Sequence, residues 1–227
     1  QDRKGEVVEA ARTVFEIRGF DAAILRELTV GIDVTGYLRI LEARHRATPT
    51  GMGYGETRFS SQADSFTVLY AAQDLPTALA EKVIRDRFQS RKKRVLLEAD
   101  LAELVAASLV AVKPLKLLDL RTSGASRLGI PTDAVRGRAQ QAGRKFSQQL
   151  YDTTDFDGIV YMSRLTNAEC VAIYDRAVGT KLNPAPPVQE MSELADLIAA
   201  LASLSVQLRD LTGPHEWSAL IVSVKLP

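Results

Sequence analysis

The chain has 227 residues, 46% of them hydrophobic, enough for one large core or a core with an appendage, since single cores grow to roughly 250 residues before splitting. Lys and Arg number 29 against 28 Asp and Glu, a net charge of +1, so no overall field recruits nucleic acid or an anionic membrane. No run approaches the ~20 apolar residues that span a bilayer, and a single cysteine, Cys170, excludes an internal disulfide.

The segment Gln1-Asp2-Arg3-Lys4-Gly5 carries neither an initiating Met nor an apolar signal core, which reads as a trimmed chain or a piece of a larger protein. Val7, Ala10, Ala11, Val14 and Phe15 recur at helical spacing before Gly19, predicting an amphipathic helix over 4–18. Asp21 caps a second, shorter helix through Leu28. Gly36 opens a strand over 37–42 in which Arg39 shares a face with Tyr37 and Leu41. Gly51, Gly53 and Gly55 then mark a loop, a candidate lid or ligand-facing turn. A strand follows over 66–71, then Asp74-Leu75-Pro76 starts a helix that bears Glu81, with Asp74 as cap and Pro76 where its missing N–H costs little.

Further strands are predicted over 108–112, 115–120, 159–162, 170–174 and 220–224, and a helix over 138–150. Asn183-Pro184-Ala185-Pro186-Pro187 is a linker-like break, and 188–211 reads as one long helix after it. The mixture is an α+β chain. Cys170 alternates with apolar neighbours and reads as a buried small residue rather than a nucleophile.

The chemistry converges on 39–81. Arginines such as Arg39 on a strand and Arg58 in a turn form charge-assisted bonds to phosphate worth about 1.5 to 3 kcal/mol each. Tyr70 offers an aromatic face to a flat ring, and Glu81 a carboxylate that stabilises positive charge developing on a sugar. Ser163, on the face of Ile159 and Tyr161, adds a hydroxyl. Spacing alone leaves plainer roles open. Glu81 edges the apolar arc of Leu79, Ala80, Val83 and Ile84, where a surface glutamate pairs with Arg85 at i+4. Arg39 reads equally as a protruding strand arginine, Tyr70 as core and Ser163 as a strand-end cap. His45 and His215 lack Cys or carboxylate neighbours at metal-ligand spacing, so no metal is expected. Neither a P-loop nor a strand-placed G-x-G-x-x-G occurs, and Arg91-Lys92-Lys93-Arg94 reads as a solvated face, with no direct nucleic-acid contact expected.

Four blocks occur in one order: Arg39 on its strand; Gly55-Glu56-Thr57-Arg58-Phe59-Ser60 leading to Tyr70 and Glu81; Leu117-Leu118-Asp119-Leu120; and Asp157-Gly158-Ile159-Val160-Tyr161-Met162-Ser163-Arg164. Over 35–178 this order resembles the RES domain, the toxin half of a bacterial toxin-antitoxin family. The resemblance implies an ADP-ribosyltransferase-like split β-sheet core with flanking helices over 35–180. Around it lie an N-terminal helical extension over 1–34 and, over 181–227, a linker, long helix and final strand completing the same domain. It implies that NAD+ is the substrate and that its nicotinamide-ribose bond is cleaved, by a glycohydrolase or phosphorylase reaction or by ADP-ribosyl transfer to a protein. Arg39 and Arg58 would hold the dinucleotide phosphates, Tyr70 would stack near the nicotinamide, Glu81 would stabilise the ribosyl cation and Ser163 would orient the glycosidic bond or Glu81. The implied partner is an antitoxin, often with a helix-turn-helix part, or an immunity protein if the chain is a delivered effector. It would plug a cleft rimmed by Arg39, Arg58 and the 51–55 loop, in the cytoplasm of the producing or target cell. A non-catalytic interaction module using the long C-terminal helix is the other reading.

Overall fold

The computed structural model describes residues 19–88, 91, 93–137 and 140–210. The predicted helix over 4–18 and strand over 220–224 lie outside them. Asp21 caps α1 (Ala22–Glu27) as expected, its carboxylate accepting the Ala23 N–H at 2.7 Å. Strands β1 (Thr29–Ile32), β2 (Leu38–Glu42) and β3 (Val68–Ala72) follow. Asp74 caps α2 through the Thr77 N–H at 2.7 Å. This helix begins at Leu75–Leu79, passes through a π-helical turn at Ala80–Ile84 and ends at Arg85–Arg87. Next come β4 (Arg94–Leu97), α3 (Glu98–Ala102), β5 (Leu104–Ser108), β6 (Leu115–Asp119), α4 (Gly124–Arg127), α5 (Thr132–Arg136) and α6 (Gln141–Thr153). The chain continues with β7 (Gly158–Met162), β8 (Glu169–Tyr174), α7 (Asp175–Lys181), β9 (Val188–Glu190), α8 (Leu197–Ser203) and β10 (Val206–Arg209).

Eight strands run in the order β1-β6-β7-β8-β3-β2-β5-β9, antiparallel except for β6 beside β7. The sheet is split. Five strands from β1 to β3 meet the trio β2-β5-β9 through the register pair Leu38↔Ala72, whereas β3 and β8 are paired along their length from Val68↔Tyr174 to Ala72↔Cys170. This is the expected split-sheet α+β architecture. On its near face Val68, Tyr70, Ala72, Ile159, Tyr161 and Tyr174 pack with α2, α6 and α8. On the far face Leu69, Ala71, Val160, Val171 and Ile173 pack with Tyr37, Leu109 and α7. Strict alternation across β3, β7 and β8 thus feeds two cores, each fully buried large side chain contributing about 1.5 to 3 kcal/mol.

Several expectations are corrected. The stretch 188–211 is not one long helix but β9, a 3-10 turn (Met191–Glu193), α8 and β10. Its apolar residues serve different neighbours: Val188 packs on Leu41, Val105 and Ala107, Leu197 and Leu201 enter the near-face core, and Ser205 at φ 56° turns the chain into β10, which pairs with β4. The strand expected at 108–112 is β5, four residues earlier, because Leu104 to Ala107 are buried on both sides between β2 and β9. The helix expected from 138 is described from Gln141.

The Asp157-Gly158 pair is architectural. Asp157, 5% exposed, accepts the Lys116 N–H and the Lys181 ammonium, both at 2.6 Å, and so ties β6 and α7 to the start of β7. Gly158 lies so close to β8 that a Cβ there would collide with the Ala172 carbonyl oxygen, which excludes every other residue type without a backbone shift.

Candidate active site

The Arg58 turn is built by local hydrogen bonds. Thr57 N–H donates to Ser60 Oγ at 3.0 Å, and Ser60 Oγ donates back to the Thr57 carbonyl at 2.9 Å. Phe59 drops into the near-face core at 0% exposure, edge-on to Tyr161 at 5.1 Å. Helix α6 grips the other side: Arg144 Nη2 donates to the Ser61 carbonyl and Ser147 Oγ to the Phe59 carbonyl, each at 2.7 Å. Gly143 makes this approach possible, since a Cβ there would lie 2.5 Å from the Arg58 carbonyl oxygen and 2.6 Å from that of Ala134.

The Arg58 guanidinium reaches the C-terminal end of α5, donating to the Val135 carbonyl at 2.6 Å and the Gly137 carbonyl at 2.9 Å. These are the carbonyls that a helix end leaves open, and the cation complements the negative end of the helix dipole. Its Nε is buried and has no hydrogen-bond partner among the described residues. Tyr70, at the centre of β3, turns its hydroxyl to the same turn, 2.9 Å from Thr57 Oγ1 and accepting the Phe59 N–H at 2.9 Å. Burial pushes the Tyr70 phenol up, so it stays protonated.

Glu81 lies in the π-helical turn of α2, where Arg85 N–H bonds to the Ala80 carbonyl five residues back. Such turns are rare and recur at functional sites. Ser163, at the end of β7 and 2% exposed, donates its hydroxyl to Glu81 Oε1 at 2.7 Å. That hydroxyl also accepts the Leu165 N–H at 3.1 Å, so its hydrogen is aimed at the carboxylate. The other carboxylate oxygen pairs with Arg85 at 3.5 Å. The surface-pair reading of Glu81 and Arg85 and the site reading thus coexist in one geometry.

These groups line one pocket: Thr57, Arg58, Tyr70, Glu81, Arg85, Gln140, Tyr161, Arg164 and Leu165. The partly buried Glu81-Ser163 contact stands beside it. Of the five residues singled out from sequence, Arg58, Tyr70, Glu81 and Ser163 are brought together. Arg39 is not. Leu38 registers with Ala72 on the face of Tyr70, so Arg39 points to the opposite face, beside its β5 partner Ala107. There it donates to the Pro49 carbonyl at 2.9 Å, and burial pushes its guanidinium down. The expected rim of Arg39 and the 51–55 loop is corrected with it: Met52 packs on the far-face core, and only the turn after the loop, from Thr57, reaches the pocket. Arg164 was missed. It follows Ser163 directly, lines the pocket and forms no hydrogen bond or ion pair among the described residues; its only sequence signal was its place after the serine.

The RES domain family model matches residues 37–193, which takes in every residue of this pocket. The chain belongs to the RES-domain family. A curated relative, "Probable toxin y4kH" from Sinorhizobium fredii, is 42% identical over 86 residues, 37% of this chain and 67% of the relative. The fold of this RES-domain chain is also similar to a chain in the crystal structure of the M. tuberculosis MbcT-MbcA toxin-antitoxin complex, with a TM-score of 0.54 at 15% identity, over 74% of this chain and 90% of that one. Arg39 and Tyr70 both lie within the matched residues.

Proposed function

We propose that this RES-domain chain is the toxin of a toxin-antitoxin pair and consumes NAD+ by breaking the bond between nicotinamide and ribose. The observation that carries the reading is the Ser163-Glu81 hydrogen bond of 2.7 Å beside a pocket lined by two tyrosines and three arginines. In the reaction the C–N electron pair leaves with the pyridine nitrogen, which loses its positive charge as the ribose gains it. Glu81 faces that developing cation, and a fixed carboxylate stabilises it more in the transition state than in the ground state. Ser163 holds the carboxylate in place. An acceptor oxygen, from water or phosphate, then bonds to C1′ and releases its proton; a protein side chain as acceptor would make the chain an ADP-ribosyltransferase. Arg164 and Arg58 supply charge toward the pyrophosphate, and Tyr70 an aromatic wall.

The test is release of free nicotinamide from NAD+ by the purified chain, with the second product, ADP-ribose, its 1-phosphate or a modified protein, naming the acceptor. Glu81→Gln keeps the shape and removes the charge. It is expected to fold normally and to lower turnover by at least about a hundredfold; near-normal turnover in the folded variant overturns the assignment. Expression alone is expected to arrest growth with falling cellular NAD+, and co-expression with a cognate antitoxin to restore it.

A further inference from the structure

The geometry points to Thr77 and Thr166 as a latch that positions the Glu81 carboxylate, a role that rests on the proposed NAD+ cleavage for its consequence but not for its structure. Thr77 is 1% exposed and lies on α2 four residues before Glu81, just ahead of the π-helical turn. Its hydroxyl is 2.8 Å from that of Thr166. Thr166 belongs to the turn that joins β7 to β8, and its N–H points to Ser163 Oγ at 3.4 Å, next to the Leu165 N–H at 3.1 Å. Ser163 in turn donates to Glu81 at 2.7 Å.

The contacts form a closed circuit: Thr77 to Thr166, Thr166 to Ser163, Ser163 to Glu81, and Glu81 back to Thr77 through one turn of helix. Two further features make the circuit necessary. Glu81 leaves the chain from a π-helical turn, where the extra residue in the ring displaces side chains from regular α-helical register, so helix geometry alone does not set its direction. The β7–β8 turn is held at its base, with Ser163 N–H to the Ala168 carbonyl at 2.7 Å and Asn167 at φ 55°. Thr77 of α2 reaches its tip through the Thr166 hydroxyl. Without the Thr77 hydroxyl, the turn keeps its base and the Ser163-Glu81 bond but loses its second tie to the helix that carries the carboxylate.

The experiment compares Thr77→Val, Thr166→Val, the double variant and Thr77→Ser with the unmutated chain, using NAD+ turnover and amide hydrogen exchange. Each Val variant is expected to lower kcat about tenfold, with KM within about twofold, because the misplaced group acts only in the transition state. The double variant is expected to be no worse than Thr166→Val, which already removes the Thr77 contact along with the acceptor of the Ala168 N–H, and Thr77→Ser to recover most of kcat. Exchange at the Leu165 and Thr166 amides is expected to speed up in Thr77→Val while β3 and β8 keep their protection. Unchanged kcat in the Val variants, no recovery in Thr77→Ser, additive losses in the double variant or unaltered exchange at Leu165 and Thr166 overturns the latch. If the unmutated chain releases no nicotinamide, the proposed function fails, and the exchange measurement alone then decides the latch.

Discussion

At the scale of single residues, one of the two arginines first singled out has exchanged significance with one that was not, while Arg58 keeps its place in the pocket. Arg39 is committed to the Pro49 carbonyl on the far face, whereas Arg164 lines the pocket. Under the proposed function, Arg164→Gln is expected to raise KM for NAD+ about tenfold with kcat little changed, the signature of lost uniform binding. Arg39→Gln is expected to leave both constants within about twofold. Steady-state nicotinamide release decides both, and the reverse pattern would return the phosphate role to Arg39. Tyr70 is expected to be structural at its hydroxyl and functional at its ring. Tyr70→Phe leaves the buried Phe59 N–H without its acceptor, which costs about 1 to 3 kcal/mol, measurable as a lower urea midpoint at unchanged slope.

At the scale of elements, the arginine turn was legible because its work is local: Thr57 to Ser60 close their own turn. The D-G-I block was legible only as a family pattern, since Asp157 and Gly158 secure the start of β7 to Lys116, Lys181 and Ala172, all distant in the chain. Gly158→Ala is accordingly expected to destabilise by more than about 2 kcal/mol, because backbone on a central strand must move; an equilibrium denaturation curve matching the unmutated chain would refute the close approach. The side on which Arg39 falls was not legible. Alternation puts Arg39 with Tyr37 and Leu41, and Tyr70 with Val68, but which side of β2 joins which side of β3 depends on the pair Leu38↔Ala72, a register between strands far apart in the chain. The parallel pairing of β4 with β10 was hidden for the same reason. In 188–211, helical spacing of Leu197, Ala200 and Leu201 was real, but it covered one short helix and was read through its turns into the flanking strands.

At the scale of the whole molecule, charge ties strands that do not touch. Arg121 bridges Asp119 at the end of β6 and Glu169 at the start of β8, each at 2.6 Å, and Glu169 also accepts the Tyr37 hydroxyl ahead of β2. The Arg121 guanidinium beside Asp119 holds its carboxyl below the usual carboxylate range. A depressed native value means that the contribution is complete above the unfolded value of about 3.9 and is lost as pH falls through the native one. Asp119→Asn is therefore expected to lower stability at pH 7 by on the order of 1 kcal/mol, as the pair is partly solvated, and to flatten the acid limb of the stability curve. Urea midpoints measured from pH 7 downward test this; a parallel acid limb in the variant would remove Asp119 from the account.

The contact between α6 and the Arg58 turn has a genetic consequence. Every single-base missense change in a glycine codon introduces a side chain with a Cβ, and at Gly143 that atom meets two backbone carbonyls and the Arg58 Cγ within 2.8 Å, none of which is the free end of a flexible group. If the chain is a toxin, spontaneous survivors of its expression should therefore include alleles at this helix position, which is no part of the pocket lining, and Gly143 has no conservative missense neighbour through which the gene could drift.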